Sequence, residues 1–312
     1  MTSPDTTIDF AAVRTAGADL RRGPRPAVAA RELSTGGTGE PYTRLAPVPC
    51  GATIGAEIPG IDLSRPLDDA VLAELRRALL EYKVLFFRDQ DLTADRHAAF
   101  ARHWGEPQIH PFLPKAGRPE VVRLAHDADA PGVENIWHSD ASFTGTPPFG
   151  SILRAVEVPD IGGDTMWADM AAAYDGLPDD VRTAIDGLTA THDFTQSFGR
   201  LMTGEQLAEA RRAYPPVRHP VVRTIPETGR KLIYVNSVFT ARIDGVGEAD
   251  GADLLDILTD QARHPEYQVR FRWEPGSVAF WDNRITQHYA LCDYYPRPRV
   301  MERVTITGDR PR

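Results

Sequence analysis

Between residues 267 and 281 the chain alternates and then turns. Tyr267, Val269, Phe271 and Trp273 take every second position, with Gln268, Arg270, Arg272 and Glu274 between them. Successive side chains of a strand point to opposite faces, so this pattern predicts a strand with one face buried and the other wet. Pro275-Gly276 then turns the chain into Ser277 to Trp281, a second apolar strand.

Short strands of the same kind recur upstream, at Val121 to Leu124, Ser151 to Ala155, Val217 to Arg223 and Leu232 to Asn236. Glu227-Thr228-Gly229-Arg230 is a hairpin turn between the last two. Nearer the N-terminus, Val71, Leu72, Leu75, Ala78, Leu79 and Tyr82 recur at helical spacing behind Asp68-Asp69, acidic residues suited to a helix start. Val84 to Phe87 reads as a buried strand, and Thr93 caps a second helix running to Trp104, where Gly105 stops it. Inserted helices are expected near 178–188, 205–213 and 252–259. Many antiparallel strands with inserted helices predict a mainly β, α+β fold, a double-sheet jelly roll with helices packed outside.

Residues 1–45 are rich in Arg, Gly, Pro, Thr and Ala and show almost no periodic apolar pattern. Such a segment reads as a mobile arm: a lid, an oligomer clasp or a dispensable extension. Residues 46–312 then form the functional domain. With 42% hydrophobic and 25% charged residues the chain can build a sizeable core. A net charge of −9 argues against nucleic acid as the main ligand, though not against a locally basic pocket. Cys50 and Cys292, the two cysteines, sit in no paired motif, which fits a reduced cytoplasmic compartment. No stretch approaches the ~20 apolar residues of a membrane span. Arg21-Arg22 runs into Gly-Pro-Arg-Pro rather than the apolar core of a secretory signal.

The chemistry concentrates in two places. Trp137-His138-Ser139-Asp140 supplies a His-x-Asp pair, and His288 closes the run Trp281 to Tyr289, with Arg299 eleven residues further on. In a strand, residues i and i+2 share a face, so His138 and Asp140 can grip one ion. Two imidazoles and a carboxylate occupy one face of an octahedral metal and leave three positions open, as in non-heme Fe(II) oxygenases. His-x-Asp alone is thin, because the chain has nine histidines and most histidines are surface or core residues. Arg299 and Arg303 lie four apart in a β-like stretch, on one face and about 13 Å apart at their α-carbons. Facing a metal they would need anionic partners, and a guanidinium fork suits a carboxylate, a sulfonate or a sulfate edge. On the residues alone, two solvated arginines on an exposed strand remain the alternative. A zinc hydrolase is disfavoured, since no His-Glu-x-x-His helix is present.

Four segments carry a resemblance: Trp-His-x-Asp-x-x-Phe at Trp137 to Phe143, Thr-Pro-Pro at Thr146 to Pro148, Gly-Gly-Asp-Thr at Gly162 to Thr165, and Trp-Asp-Asn-Arg-x-Thr-Gln-His-Tyr at Trp281 to Tyr289. Together they resemble the taurine dioxygenase (TauD/TfdA) family, from about Leu45 to Arg310. The resemblance implies a double-stranded β-helix core, Fe(II) held by His138, Asp140 and His288, and 2-oxoglutarate and O2 as cosubstrates. It makes Arg299, helped by Thr165, the residue that binds the distal carboxylate of 2-oxoglutarate. Arg303 matches the arginine that binds the sulfonate of taurine, His110 a hydrogen-bonding residue at that sulfonate, and Phe198 and Phe239 apolar walls. Read by themselves, the two phenylalanines are ordinary core residues. Halogenating relatives carry a small residue at the position of Asp140, so the aspartate implies hydroxylation.

Two positions depart from the family pattern near the amine end of taurine. Leu113 stands where the taurine enzymes carry a tyrosine, and Glu134 where they carry an asparagine. A carboxylate can still pair with an ammonium, while Leu113 enlarges or dries that end. The expected activity is therefore hydroxylation of a C–H beside an anionic group. The expected substrate is a taurine-like sulfonate or an alkyl sulfate, releasing sulfite or sulfate plus aldehyde with succinate and CO2. The alternative is hydroxylation of a carboxylate or amino-acid-like natural product. A sensor or storage protein without turnover would not need Arg299 and Thr165 beside the metal. The expected partners are a small anionic substrate and further copies of the chain, as a dimer or tetramer.

Overall fold

The Asp9 carboxylate accepts the backbone N–H groups of Ala11 and Ala12 and so starts helix α1 (Phe10–Leu20). The computed structural model describes residues 8–21, 23 and 40–312. Helix α1 buries Val13, Gly17 and Leu20, a helical stripe, and packs with Ile257 of a later helix. Arg14 adds ion pairs to Asp250 and, at 2.6 Å, to Asp253. The arm expected over 1–45 is thus corrected over 10–20, where a docked helix stands. Residues 43–45 are tied down as well, their three backbone N–H groups donating to the Glu74 carboxylate. The rest of the expected arm, residues 1–7, 22 and 24–39, lies outside the described residues.

Helix α2 (Asp69–Tyr82) begins at Asp68, whose side chain accepts the Val71 N–H, and ends at Lys83 in the left-handed region. Helix α3 (Ala94–Arg102) is capped by Thr93. Both cover one face of a nine-stranded sheet. Its strands are β1 (Val48–Pro49), β2 (Ala56–Glu57), β3 (Val84–Phe87), β4 (Pro107–Gln108), β5 (Lys115–Ala116), β6 (Arg118–His126), β7 (Gly150–Glu157), β15 (Val278–Asp282) and β17 (Arg299–Ile306). The order is β1-β2-β3-β15-β7-β17-β6-β5, with β4 beside the end of β17. All pairs are antiparallel except β2 with β3.

Alternation divides this sheet into two faces. Leu85, Phe87, Val278, Phe280, Val304 and Ile306 meet the helices, while Phe86, Ala279, Trp281 and Met301 meet a second sheet. That sheet has three strands, β8 (Thr165–Asp169) between β14 (Gln268–Phe271) and β16 (Thr286–Ala290). Its Trp167, Val269 and Phe271 fill the space between the sheets, with Phe86 and Phe271 stacked at 4.1 Å and Trp167 edge-on to Trp281 at 5.7 Å. Such aromatic pairs add about 0.5–1.5 kcal/mol each beyond their burial. The Pro275-Gly276 turn therefore carries the chain from one sheet to the other, with Gly276 at φ +77°.

The stretch 217–223 divides at Val221 into β10 (Val217–Pro220) and β11 (Val222–Thr224). The first joins β9 (Thr189–His192) and β13 (Thr240–Asp244), and the second forms the expected hairpin with β12 (Lys231–Ile233). Helices α4 (Met170–Asp175), α5 (Asp179–Ile185), α6 (Gly204–Ala213) and α7 (Glu248–Asp260) complete the set. Among the described residues no helix is long and apolar enough to cross a membrane.

Candidate metal centre and its arginines

The register of the strands brings the candidate residues to one place. Arg299 and Arg303 lie on the face of β17 that also carries Met301, turned toward the second sheet. Directly opposite one another in the second sheet stand His288 of β16 and Trp167 of β8, so His288 also faces inward. His138 arrives from the loop after β6 and exchanges two backbone hydrogen bonds with His288, at 2.8 and 3.1 Å. The expected i, i+2 strand geometry is therefore a single bridge at His138. The chain then turns through Ala141 in the left-handed region, φ +46°. Asn283 fixes this turn, accepting the Asp140 N–H at 2.8 Å and donating to the Asp140 carbonyl at 3.1 Å.

Ligand atoms of His138, Asp140 and His288 all lie within 4.8 Å of one another. His138 Nδ1 lies 2.8 Å from the Ile136 carbonyl, which only accepts. Nδ1 therefore carries the proton and Nε2 offers its lone pair. Burial, then His138 and Arg303, push His288 down to about 3 against the opposing pull of Asp140, so its ring is neutral at pH 7. Burial would raise the Asp140 carboxyl, but Arg303, His288 and His138 together hold it below the usual carboxylate range, with Ser151 donating to it at 3.0 Å. Two imidazoles and one carboxylate are the donor set that fits a ferrous ion.

The two arginines have different surroundings. Arg303 donates to Asp140 Oδ1 at 2.6 Å, and its Nε is buried without a partner. Arg299 donates to the Gly163 carbonyl at 3.0 Å and to Thr165 Oγ1 at 3.3 Å. Among the described residues no carboxylate pairs with Arg299, which is only 4% exposed and whose pKa burial lowers. A buried guanidinium whose hydrogen-bond partners are a carbonyl and a hydroxyl suits an anionic group. Thr165 Oγ1 in turn accepts the Trp273 indole N–H at 2.9 Å.

Residues expected around a substrate fall into two groups. His110 is buried, with its Nδ1 taking the Phe112 N–H at 3.2 Å, and its ring lies 5.9 Å from that of Phe198. Phe198 and Phe239 stack at 6.2 Å in an aromatic cluster with Phe112, Phe143 and Phe194. Glu134 does line the cavity that Arg299, Arg303, Thr165 and both histidines share. Its carboxylate faces His126 at 3.3 Å, and that contact raises the His126 pKa. Leu113, like His110, Phe198 and Phe239, is not on that wall; it sits half-buried in the loop before β5. No motif in the sequence assigns a role to His126, Ser151 or Asn283. Asn283 lay inside the Trp-Asp-Asn-Arg run, whereas His126 and Ser151 are placed by strand register alone.

Residues 42–305 match the model of the family described as "Taurine catabolism dioxygenase TauD, TfdA family". The chain is 39% identical over 271 residues to the alpha-ketoglutarate-dependent sulfate ester dioxygenase of Pseudomonas putida, covering 84% of this chain and 89% of that one. It is 35% identical over 282 residues to the alpha-ketoglutarate-dependent 2,4-dichlorophenoxyacetate dioxygenase of Cupriavidus pinatubonensis, covering 84% and 97%. Among solved structures, a taurine dioxygenase from Burkholderia xenovorans is similar with a TM-score of 0.74 at 39% identity, covering 86% of this chain and 93% of that one.

Proposed function

This chain belongs to the TauD/TfdA family and is a 2-oxoglutarate-dependent dioxygenase; on that premise we propose that it hydroxylates alkyl sulfates or sulfonates at the carbon bearing the anionic group. The observation that carries the reading is the meeting of a His-Asp-His cluster, a buried guanidinium held by neutral hydrogen-bond partners, and a second guanidinium on the carboxylate of that cluster.

In this reading His138, Asp140 and His288 hold Fe(II). Bound iron supplies the activation of O2 at the expense of 2-oxoglutarate, which leaves as succinate and CO2. Arg299 and Thr165 anchor the distal carboxylate of 2-oxoglutarate. Arg303 and His110 receive the substrate anion, and Phe198 and Phe239 wall the carbon chain. Their task is placement, which keeps one C–H near the metal and water away. Hydroxylation of R–CH2–O–SO3⁻ gives R–CH(OH)–O–SO3⁻. Loss of the hydroxyl proton forms the aldehyde C=O as the C–O bond to sulfate breaks. A sulfonate hydroxylated at carbon collapses in the same way to aldehyde and sulfite.

The two facing sheets act as a double-stranded β-helix, residues 46–312 as one catalytic domain, and the enzyme as a cytoplasmic homo-oligomer. The relative that acts on 2,4-dichlorophenoxyacetate favours a second reading, in which Arg303 holds a carboxylate and the hydroxylated product is stable. An aerobic assay with Fe(II) and 2-oxoglutarate across alkyl sulfates, sulfonates and carboxylates decides between them. Sulfate or sulfite release in step with succinate supports the first reading. Succinate with no release from any sulfur substrate overturns it.

A further inference from the structure

Strand register places a second cation beside Arg303. Lys115 of β5 stands opposite Val122 of β6, and Val122 stands opposite Arg303 of β17. Residues directly opposite in antiparallel strands share a face, and strands lie ~4.8 Å apart, so the two α-carbons are about 10 Å apart on one face of the sheet, Arg303 buried and Lys115 exposed on the edge strand. The Lys115 ammonium then folds back over its own loop. It donates to the Leu113 carbonyl at 2.6 Å and to the His110 carbonyl. Among the described residues no carboxylate pairs with it.

The His110 ring completes the group. Because Nδ1 accepts the Phe112 N–H, Nε2 carries the proton and is a donor. Burial, Arg303 and Lys115 keep this ring neutral, its pKa pushed down to about 3 against the pull of Asp140. Burial and the Arg303 charge also lower the Lys115 pKa. Two cations and a neutral donor thus gather, and among the described residues the anion beside them is Asp140, which belongs to the proposed metal set.

We propose that Lys115 is a specificity residue. With Arg303 and His110 it forms a cradle of three donors, suited to a head group with three terminal oxygens, a sulfate ester or a sulfonate, over a two-oxygen carboxylate. The inference rests on the substrate reading above and narrows it. Lys115 touches neither metal ligand nor 2-oxoglutarate seat, so its loss should be felt by the head group alone.

The test uses the full chain, loaded anaerobically with Fe(II) and 2-oxoglutarate, and titrates octyl sulfate and octanoate by calorimetry. Lys115→Met should weaken octyl sulfate roughly fivefold, in the range of a partly exposed charge contact, and octanoate by less than about twofold. The visible charge-transfer band should report an unaltered Kd for 2-oxoglutarate, and Lys115→Arg should restore the sulfate affinity. Equal loss for both head groups, or none, overturns the proposal. So does a fall in 2-oxoglutarate affinity together with Tm, which would make Lys115 only a clasp of the 110–115 loop. If the unaltered enzyme binds no alkyl sulfate or sulfonate at all, the substrate reading itself fails. Binding by the unaltered enzyme with no response to Lys115→Met removes the present inference alone.

Discussion

Arg299 and Arg303 are the same side chain on the same strand face, yet their neighbours give them different work. Arg299 spends its visible hydrogen bonds on a carbonyl and a hydroxyl, both neutral. Arg303 leans on the carboxylate of the metal set and keeps Nε unpartnered. A charge-assisted hydrogen bond to a buried anion is worth about 1.5–3 kcal/mol, or roughly ten- to a hundredfold in affinity. Arg299→Gln should therefore raise the Kd of 2-oxoglutarate by roughly that factor, read from the charge-transfer band. Arg303→Gln should leave that Kd within about threefold. It should raise the KM of the sulfur substrate and the share of succinate formed without hydroxylated product. If both variants show one kinetic phenotype, the division of labour is wrong. Alanine at His138, Asp140 or His288 should abolish iron-dependent succinate formation whatever the substrate.

Helix α1 makes the clearest case of an element fixed from outside itself. Gly17 is the point of contact, where an added Cβ would lie 2.5 Å from Ile257 Cδ1. Gly17→Val should push the helix off α7 and expose Val13 and Leu20. Burying a residue of that kind is worth ~1.5–3 kcal/mol, so a loss of a few kcal/mol is expected in urea unfolding. Turnover at 25 °C should persist, since no residue of α1 lines the metal cavity; loss of activity in a folded variant would give the helix a role in the site. The same helix explains where sequence reading stopped. Helices α2 and α3 were legible because Asp68 and Thr93 cap them and their apolar stripes are long. In α1 the stripe is Val13, Gly17 and Leu20, thin enough to pass for loop until Asp250, Asp253 and Ile257 supply the partner. Similarly, the His138, Asp140 and His288 cluster and the strand carrying both arginines could be read from motif order. The Glu134–His126 contact and the Ser151 bond to Asp140 could not, because they depend on how the loop between β6 and β7 folds back on the ends of those strands.

Outside the His-Asp-His set, four buried histidines, His110 at the proposed substrate end among them, set how the fold responds to acid. Burial pushes His97, His110 and His192 down to about 3 and His219 to about 4. His97 bonds the Ile152 carbonyl through Nε2, His192 bonds Ser142 through Nδ1, and His219 bonds the Ser142 and Thr144 carbonyls through Nε2. The second nitrogen of each of these three is buried without a partner, so an added proton would meet no acceptor. The unfolded chain takes up these protons near pH 6.5, while the folded chain refuses them until about pH 3 to 4. Between those limits the unfolded state binds more protons, and stability falls as pH falls. Each such group costs up to about 1.4 kcal/mol per pH unit, so the four together cost up to about 6 kcal/mol for each pH unit, against a native stability of about 5–15 kcal/mol. Cooperative unfolding is therefore expected near pH 4 to 5, followed by far-UV circular dichroism on metal-free protein. His97→Gln keeps the donor to the Ile152 carbonyl and cannot take up a proton, so its midpoint should move to lower pH by a few tenths of a unit. A chain that stays folded at pH 3.5, or a His97→Gln midpoint that moves upward, would show that other groups govern acid unfolding.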